Sequence, residues 1–228
     1  MTAKIKLNAA SGGGSISIQA PSSSSNNRVI SLPDIADGTL VTSQSTLDAT
    51  KLSGNLPAIS GASLTGINSI TMVDQWRPSS SFTLTGSVSL ISSNWERVDA
   101  PSGYGTIGSA MTQSSGIFTF PSTGIYYIEY ICMLVLTGTA ARYCGNRIQT
   151  TVNNSSYSTA METLGHVGLS NSFGAYNTTT SSVLFDVTDT STHKIRFSAT
   201  SIQHASTSVI GNSGSNSTAV TFIRLGDT

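Results

Sequence analysis

The chain has 228 residues, of which only 10% are Asp, Glu, Lys or Arg, and these charges balance to zero. Because nucleic-acid binding needs clustered basic side chains, this balance excludes a nucleic-acid-binding protein. No apolar run approaches the roughly 20 residues that span a bilayer, so we expect no membrane insertion. The segment MTAKIKLNAASGGG lacks the hydrophobic stretch of a secretory signal, and we therefore expect assembly in the cytoplasm.

Residues 1–45 contain three short runs in which apolar and polar residues alternate, namely AKIKLNA, GSISIQA and RVISLP. A period of two is typical of β-strands, but each run is too short to form a sheet alone. We expect the runs to pair between chains or to lie on a larger partner. The sequence therefore predicts a small β-structured attachment segment over residues 1–45.

Residues 46–74 include the stretch TKLSGNLPAISGASLTGI, in which apolar residues recur along a polar backbone. Pro57 ends a helix and the glycines weaken a strand, so the stretch cannot bury its own apolar side chains. Copies of the segment around a shared axis would cover them. The sequence predicts an extended oligomeric stalk over residues 46–74, with five side chains buried between chains: Leu52, Leu56, Ile59, Leu64 and Ile67.

From residue 75 onward, strand-like runs alternate with clusters of Gly, Pro, Asn and Ser, at the spacing typical of a β-sandwich. The predicted strands are 81–89, 95–98, 116–120, 125–136, 142–152, 182–187, 192–200 and 219–225. No window has a convincing helical period. Residues 75–228 are therefore predicted to form one all-β domain.

The two cysteines lie in the central runs. The segment IYYIEYICMLVL, the turn near Gly138 and the segment RYCGNRIQTTV are typical of a hairpin, which would place Cys132 opposite Cys144. A cross-strand disulfide is conceivable, and two buried apolar thiols are the alternative.

Few residues suit catalysis. A glycan-cleaving enzyme needs two carboxylates across a groove, but the pairs Glu96/Asp99 and Asp186/Asp189 lie near turns, where Asp is favoured for local hydrogen bonds. The histidines are His166, His193 and His204, with no recognisable triad or metal-ligand motif around them. We expect no catalytic residues, no metal site and no cofactor.

Binding is the better hypothesis. The segment 155–182 is long, and its only charged residue is Glu162. We interpret it as a loop whose aromatic side chains stack on sugars or contact proteins; the alternative is that they only hold the loop to its own domain. The candidate binding residues are Tyr157, His166, Phe173 and Tyr176. The segment 206–217 is interpreted as a second exposed loop.

Two groups of motifs resemble known families. The run GIFTFPSTGIYYIEYI and the terminal run STAVTFIRLGD resemble the central and closing strands of the C1q/TNF-like jelly roll. RYCGNRIQTTVNN and SSVLFDVTDTSTHKIRFSAT lie where that family has its middle strands. The segments at 4–42 and 47–67 resemble modules near the start of virion fibre proteins of marine and cyanobacterial phages.

The resemblance implies an all-β protein with a C-terminal C1q/TNF-like jelly-roll head (75–228) on a trimeric stalk and an N-terminal attachment segment. In such trimers aromatic residues fill either the axis or the jelly-roll interior. Strand alternation places Tyr126 and Tyr130 on one face and Tyr127 on the other. The candidates for these positions are Tyr126, Tyr127, Tyr130, Phe118, Phe120 and Phe222.

The function implied is that of a non-catalytic structural component of a phage virion. We expect a homotrimeric fibre or spike that binds other virion proteins through its N-terminal segment and contacts a glycan or protein of the host surface through its head. Capsid decoration, a head fibre or an adaptor with no receptor-binding role is the alternative. A surface-polysaccharide depolymerase is the third hypothesis.

Overall fold

The computed structural model describes residues 4–8, 10–19, 70–169 and 173–228. The five predicted stalk residues and most of the attachment segment lie outside this range. The chain divides into two units, Met1–Ser60 and Gly61–Thr228, and each is described by itself. Within the described residues, no helix has the length and apolar character needed to cross a membrane.

The described part of the first unit is an antiparallel hairpin. Its strands are β1 (Lys4–Asn8) and β2 (Ser15–Gln19). The register pairs Ile5 with Ile18 and Leu7 with Ile16. Ile5 and Leu7 are exposed. Because an isolated two-stranded hairpin is marginally stable in water, these two exposed side chains need a cover.

The described residues of the second unit form strands and one turn of 3₁₀ helix at His204–Ser206. The strands are β3 (Met72–Pro78), β4 (Ser80–Thr83), β5 (Val88–Leu90), β6 (Trp95–Arg97), β7 (Thr112–Ser114), β8 (Ile117–Thr119), β9 (Gly124–Thr137), β10 (Ala141–Thr151), β11 (Ser158–Val167), β12 (Gly174–Val187), β13 (Lys194–Ser201), β14 (Thr207–Asn212) and β15 (Ala219–Gly226). β3, the first strand of this unit, thus includes the last three residues of the predicted stalk interval, 72–74.

Two antiparallel sheets form the sandwich. The seven-stranded sheet has the order β4-β14-β9-β15-β3-β6, with β12 on the other side of β9; the six-stranded sheet has the order β11-β10-β13-β8-β7, with β5 also pairing β13. From β8 to β13 the chain passes between the sheets, so that β8, β10, β11 and β13 lie in one and β9 and β12 in the other. This order is that of a jelly roll, and the predicted fold class is confirmed.

The core explains why these strands form. Along β9 every second residue is fully buried, and the residues between are half-buried. Tyr126 and Tyr130 share one face and Tyr127 lies on the other, as predicted, and the shared face is the inward one. Phe118 lies at the centre of the core. Its ring centroid is 5.2–5.6 Å from those of four other aromatic residues: Trp76, Trp95, Phe197 and Phe222. The candidate aromatics other than Tyr127 thus fill the interior of a single chain.

The predicted hairpin of β9 and β10 is wrong. β9 pairs with β12, β14 and β15, whereas β10 pairs with β11 and β13 in the other sheet. The short link 138–140 crosses between sheets, and a link of this length is equally compatible with a hairpin. Cys132 and Cys144 are not cross-strand partners; both are buried free thiols.

A buried amide joins the two sheets. Asn146 of β10 donates through Nδ2 to the carbonyl oxygens of Tyr130 (2.9 Å) and Thr179 (3.2 Å) in the opposite sheet. Its Oδ1 accepts a hydrogen bond from Ser181 Oγ (2.8 Å), whose oxygen also lies 2.7 Å from Thr163 Oγ1. The polar residues of β12 thus complete a network that the apolar core cannot supply.

We expect Asn146→Ala to lower the free energy of unfolding by about 3 kcal/mol, since it leaves buried carbonyl groups and the Ser181 hydroxyl without a partner. Urea unfolding monitored by tryptophan fluorescence, at fixed protein concentration, measures this change. Asn212→Ala is the control, because the side chain of Asn212 is exposed and accepts a hydrogen bond from the N–H of Gly214 within its own turn. Equal stability of the two variants would contradict the bridging role.

The thiols should be inert in the folded protein. Burial raises the pKa of Cys132 to about 12, and burial also raises the pKa of Cys144. Because only the thiolate reacts with a disulfide reagent, we expect no labelling of the native chain at pH 8 and two labelled thiols in denaturant. Rapid labelling of the native protein, or a denatured chain with no free thiols, would contradict this.

Candidate functional site

The segment 155–182, predicted as a loop, is mostly strand, so the prediction of a loop is wrong. β11 and the first half of β12 occupy it, and within the interpreted loop 206–217 the chain forms β14. The Ser and Thr content suggested a loop. On β12, however, the side chains of Thr179 and Ser181 point inward and those of Thr178 and Thr180 are exposed, which is the period of a strand.

The four candidate binding residues do not form one site. Tyr157 precedes β11 and is half-buried beneath Arg196, whose guanidinium carbon lies 4.0 Å from the ring centroid. His166 is exposed near the other end of β11, roughly 30 Å away at the rise of an extended strand. Tyr157 therefore has a local packing role at the opposite end of the strand.

Phe173 and Tyr176 lie at the same end of the sandwich as His166. Gly174 pairs with Thr137, the last residue of β9, and Phe173 and Tyr176 are 80% and 62% exposed. The described chain enters the head at the other end, where Met72 pairs with Arg224. Tyr176 pairs with Val135 on the outward face of the seven-stranded sheet, whereas His166 belongs to the six-stranded sheet.

The outward face of the seven-stranded sheet is strongly apolar. Its clearest feature is a cross-strand row from β3 through β15 and β9 to β12, composed of Val73, Ile223, Tyr127 and Leu184. Leu184 is 68% exposed. The same face carries Ile125, Ile131, Met133 and Val135, all only half-buried within one chain. We refer to this surface as the apolar face.

A polar row crosses the apolar face next to it, formed by Gln75, Thr221, Glu129 and Ser182. Gln75 Nε2 donates to Thr221 Oγ1 at 2.9 Å. The half-buried carboxylate of Glu129 lies 3.5 Å from the Tyr127 hydroxyl. Among the described residues no lysine or arginine forms an ion pair with it.

Three of the four carboxylates considered for catalysis have structural partners, and the fourth, Asp186, is exposed on β12. Glu96 and Asp99 both accept hydrogen bonds from the guanidinium of Arg77, at 2.8 and 2.9 Å. Asp189 accepts from the hydroxyl and the backbone N–H of Ser191 at 2.6 and 2.8 Å. These two bonds hold the pKa of Asp189 below its ordinary value, which does not suit a general acid.

The sequence reasoning missed two buried charges on β3. Arg77 is fully buried and makes five hydrogen bonds, to Glu96, Ala100 O, Asn216, Asp99 and Ser213 O. Asp74, also fully buried, accepts four, from the N–H of Gln75, Trp76 Nε1, Arg97 Nε and the N–H of Met111. One available signal was that charges are concentrated between residues 74 and 99 in a chain that has few.

The histidines occupy separate elements. His193 is buried, with Oγ1 of Thr188 and of Thr192 3.3 and 3.1 Å from its ring nitrogens. His166 is exposed on β11, and His204 lies in the 3₁₀ turn. In the part of the chain that the structure describes, no three potential metal ligands come together.

No protein-family model matches this chain, and no curated protein matches it significantly. Among solved structures, murine APRIL at pH 8.0 is 14% identical, with 68% of this chain and 98% of that chain covered and a TM-score of 0.48. Eiger TNF from S. frugiperda is 10% identical, with 70% and 96% covered and a TM-score of 0.49. At these identities, the similarity concerns the fold alone.

Proposed function

We propose that this protein is a non-catalytic structural component of a phage virion, a homotrimeric fibre or spike. Residues 1–45 attach it to other virion proteins, residues 46–74 form the stalk, and residues 75–228 form the head that contacts the host surface. Association of the heads is supported by the apolar face. The fibre role is supported by the sequence resemblance of the N-terminal segments.

The observation that carries the trimer is the row Val73, Ile223, Tyr127 and Leu184. A contiguous apolar surface of this kind is unusual on a monomer and typical of an interaction site. The occupant we propose is the head of another copy of this chain. Three copies around one axis cover all three surfaces and leave none free for further growth, because rotational symmetry closes the assembly.

Host contact is supported by the placement of Phe173, Tyr176 and His166. They lie at the end of the sandwich opposite Met72, roughly 40 Å along the length of β9. Exposed aromatic side chains on a rigid frame suit recognition of a glycan or a protein.

Sedimentation velocity tests the assembly. We expect the native chain to sediment as a particle of three times 23.6 kDa. Leu184→Arg should give a single folded chain, because Leu184 is 68% exposed in one head and a charge there opposes burial between heads. The control is Leu164→Arg, at a residue 47% exposed on the other sheet, which should leave the trimer intact. A native mass of one chain would refute the proposal.

The carboxylate of Glu129 should weaken the proposed interface. We expect Glu129→Leu to tighten association by at least about fivefold, since replacing a buried charge with an apolar side chain is typically worth about 1–4 kcal/mol. Dilution of the trimer, followed by mass photometry, measures the dissociation constant. Glu162→Leu on β11 should leave it unchanged. Weaker association of Glu129→Leu would mean that a cation of a neighbouring copy pairs with this carboxylate.

A further inference from the structure

The six-stranded sheet carries an excess of basic side chains. The chain as a whole has no net charge, yet the strands of this sheet contain four basic residues and one acidic residue: Arg142, Arg147, Lys194 and Arg196, against Glu162. This sheet lies on the side of the sandwich opposite the apolar face, which is the face that the proposed trimer buries. A ligand of the six-stranded sheet therefore does not compete with association of the heads.

Two of these arginines are neighbours on the outward face of the sheet. Phe197 is fully buried in the core, so Arg196 and Ser198 on either side of it point outward. The register places Gln149 opposite Arg196 and Arg147 opposite Ser198. The two arginines are therefore diagonal neighbours, roughly 7–8 Å apart across the two strands, and their long side chains can contact one ligand.

Arg196 is held in place without an acidic partner. Its guanidinium carbon lies 4.0 Å from the centre of the Tyr157 ring, and its Nε donates to Gln149 Oε1 at 3.2 Å. Nη1 and Nη2 have no hydrogen-bond partner within the described residues, and neither is among the buried atoms that lack one, so both reach solvent. No described carboxylate forms an ion pair with this guanidinium. It therefore presents four N–H groups in a fixed position.

The groups beside Arg196 are donors as well. Gln149 Oε1 accepts from Arg196 Nε and, at 2.9 Å, from Ser198 Oγ, which leaves the amide Nε2 to donate. Arg147 Nε donates to Glu162 Oε1 at 2.5 Å, and its two Nη atoms have no partner in the described part of the chain. Because Glu162 balances Arg147, the charge of Arg196 remains uncompensated. Such a site selects an anion whose oxygen atoms accept several hydrogen bonds.

The number of donors defines the ligand class. A guanidinium binds two oxygen atoms of one anion side by side, and Gln149 and Arg147 add donors for a third. A sulfate or phosphate ester supplies three such oxygen atoms, whereas a carboxylate supplies two. We infer that Arg196, Gln149 and Arg147 bind a sulfate or phosphate ester of an acidic glycan.

The charge of the site favours a glycan over a nucleic acid. A nucleic acid carries a phosphate at every residue and is bound by many cations, whereas in this site only Arg196 lacks an acidic partner. Three heads in the proposed trimer would add avidity for a polymer with sparse charges. The inference rests on the proposed function in assigning this glycan to the host surface. It adds a contact on the flank of the head, distinct from the end that carries Phe173 and Tyr176.

Biolayer interferometry with the full chain, at fixed pH and ionic strength, tests the site. The immobilised probes share one backbone: dextran, carboxymethyl-dextran, dextran sulfate and dextran phosphate. We expect saturable binding of at least one of the two esters, weaker binding of carboxymethyl-dextran and none of plain dextran. The ester that binds more tightly identifies the source of the anion. Arg196→Gln should weaken its binding at least about tenfold, the scale of hydrogen bonds to a charged group.

Arg142→Gln is the matched control, because it removes the same charge from an exposed arginine of β10, roughly 17 Å along the strand from Arg147. Equal losses in Arg142→Gln and Arg196→Gln would indicate general attraction between charges and would overturn the inference. So would the absence of binding to both esters. A single-stranded oligonucleotide bound as tightly as the preferred ester would overturn the assignment to a glycan.

Glu162→Gln should give a gain of affinity, which misfolding cannot imitate. It leaves the charge of Arg147 uncompensated, so we expect the preferred ester to bind about threefold more tightly, within the range of a surface charge pair. Unchanged or weaker binding contradicts the part assigned to Arg147. A trimer that binds neither ester refutes only this site, whereas a single chain whose binding depends on Arg196 refutes only the proposed assembly.

Discussion

The head depends on the two buried charges of β3. A buried guanidinium is tolerated only when all its N–H groups are bonded, and Arg77 uses its five on groups from residues 96–100 and 213–216. The buried carboxylate of Asp74 accepts hydrogen bonds from Arg97 Nε and from the N–H of Met111. Through these two side chains, β3 holds the segments around residues 96–100, 111 and 213–216 in place. Val73, the first residue of the apolar row, lies on the same strand.

The sequence predicted what depends on local alternation. The division of β9 into two faces followed from its period of two, whereas the choice between the trimer axis and the interior for the candidate aromatics was settled only by the fold. Alternation identifies the face of a residue but not the neighbouring strand, which is why β9 and β10 were wrongly paired. The buried charges could not be predicted, because Arg77 finds partners 136 and 139 positions away in sequence.

The Ser- and Thr-rich strands show a second limit of prediction from composition. β11 and β12 are rich in Ser and Thr, which was interpreted as a loop. Thr179 and Ser181 instead point inward beside Asn146, where the amide needs partners in the other sheet. Polar groups are needed there because the Asn146 amide is buried, and that burial depends on the tertiary fold, which composition does not predict. The candidate binding residues were separated for the same reason: the four residues lie on or next to two strands, β11 and β12, which belong to different sheets.

Both units of the chain leave aliphatic residues uncovered when one copy is considered alone. In the hairpin these are Ile5 and Leu7, and in the head Leu184 is the most exposed member of the apolar row. A partner specific to one unit would leave the other uncovered. In the proposed trimer, association of identical chains would supply a matching surface to each unit at the same stoichiometry, and Glu129 within the apolar face would limit how tightly the heads associate by themselves. Under this proposal, the stalk and the hairpin must contribute to holding the three chains together.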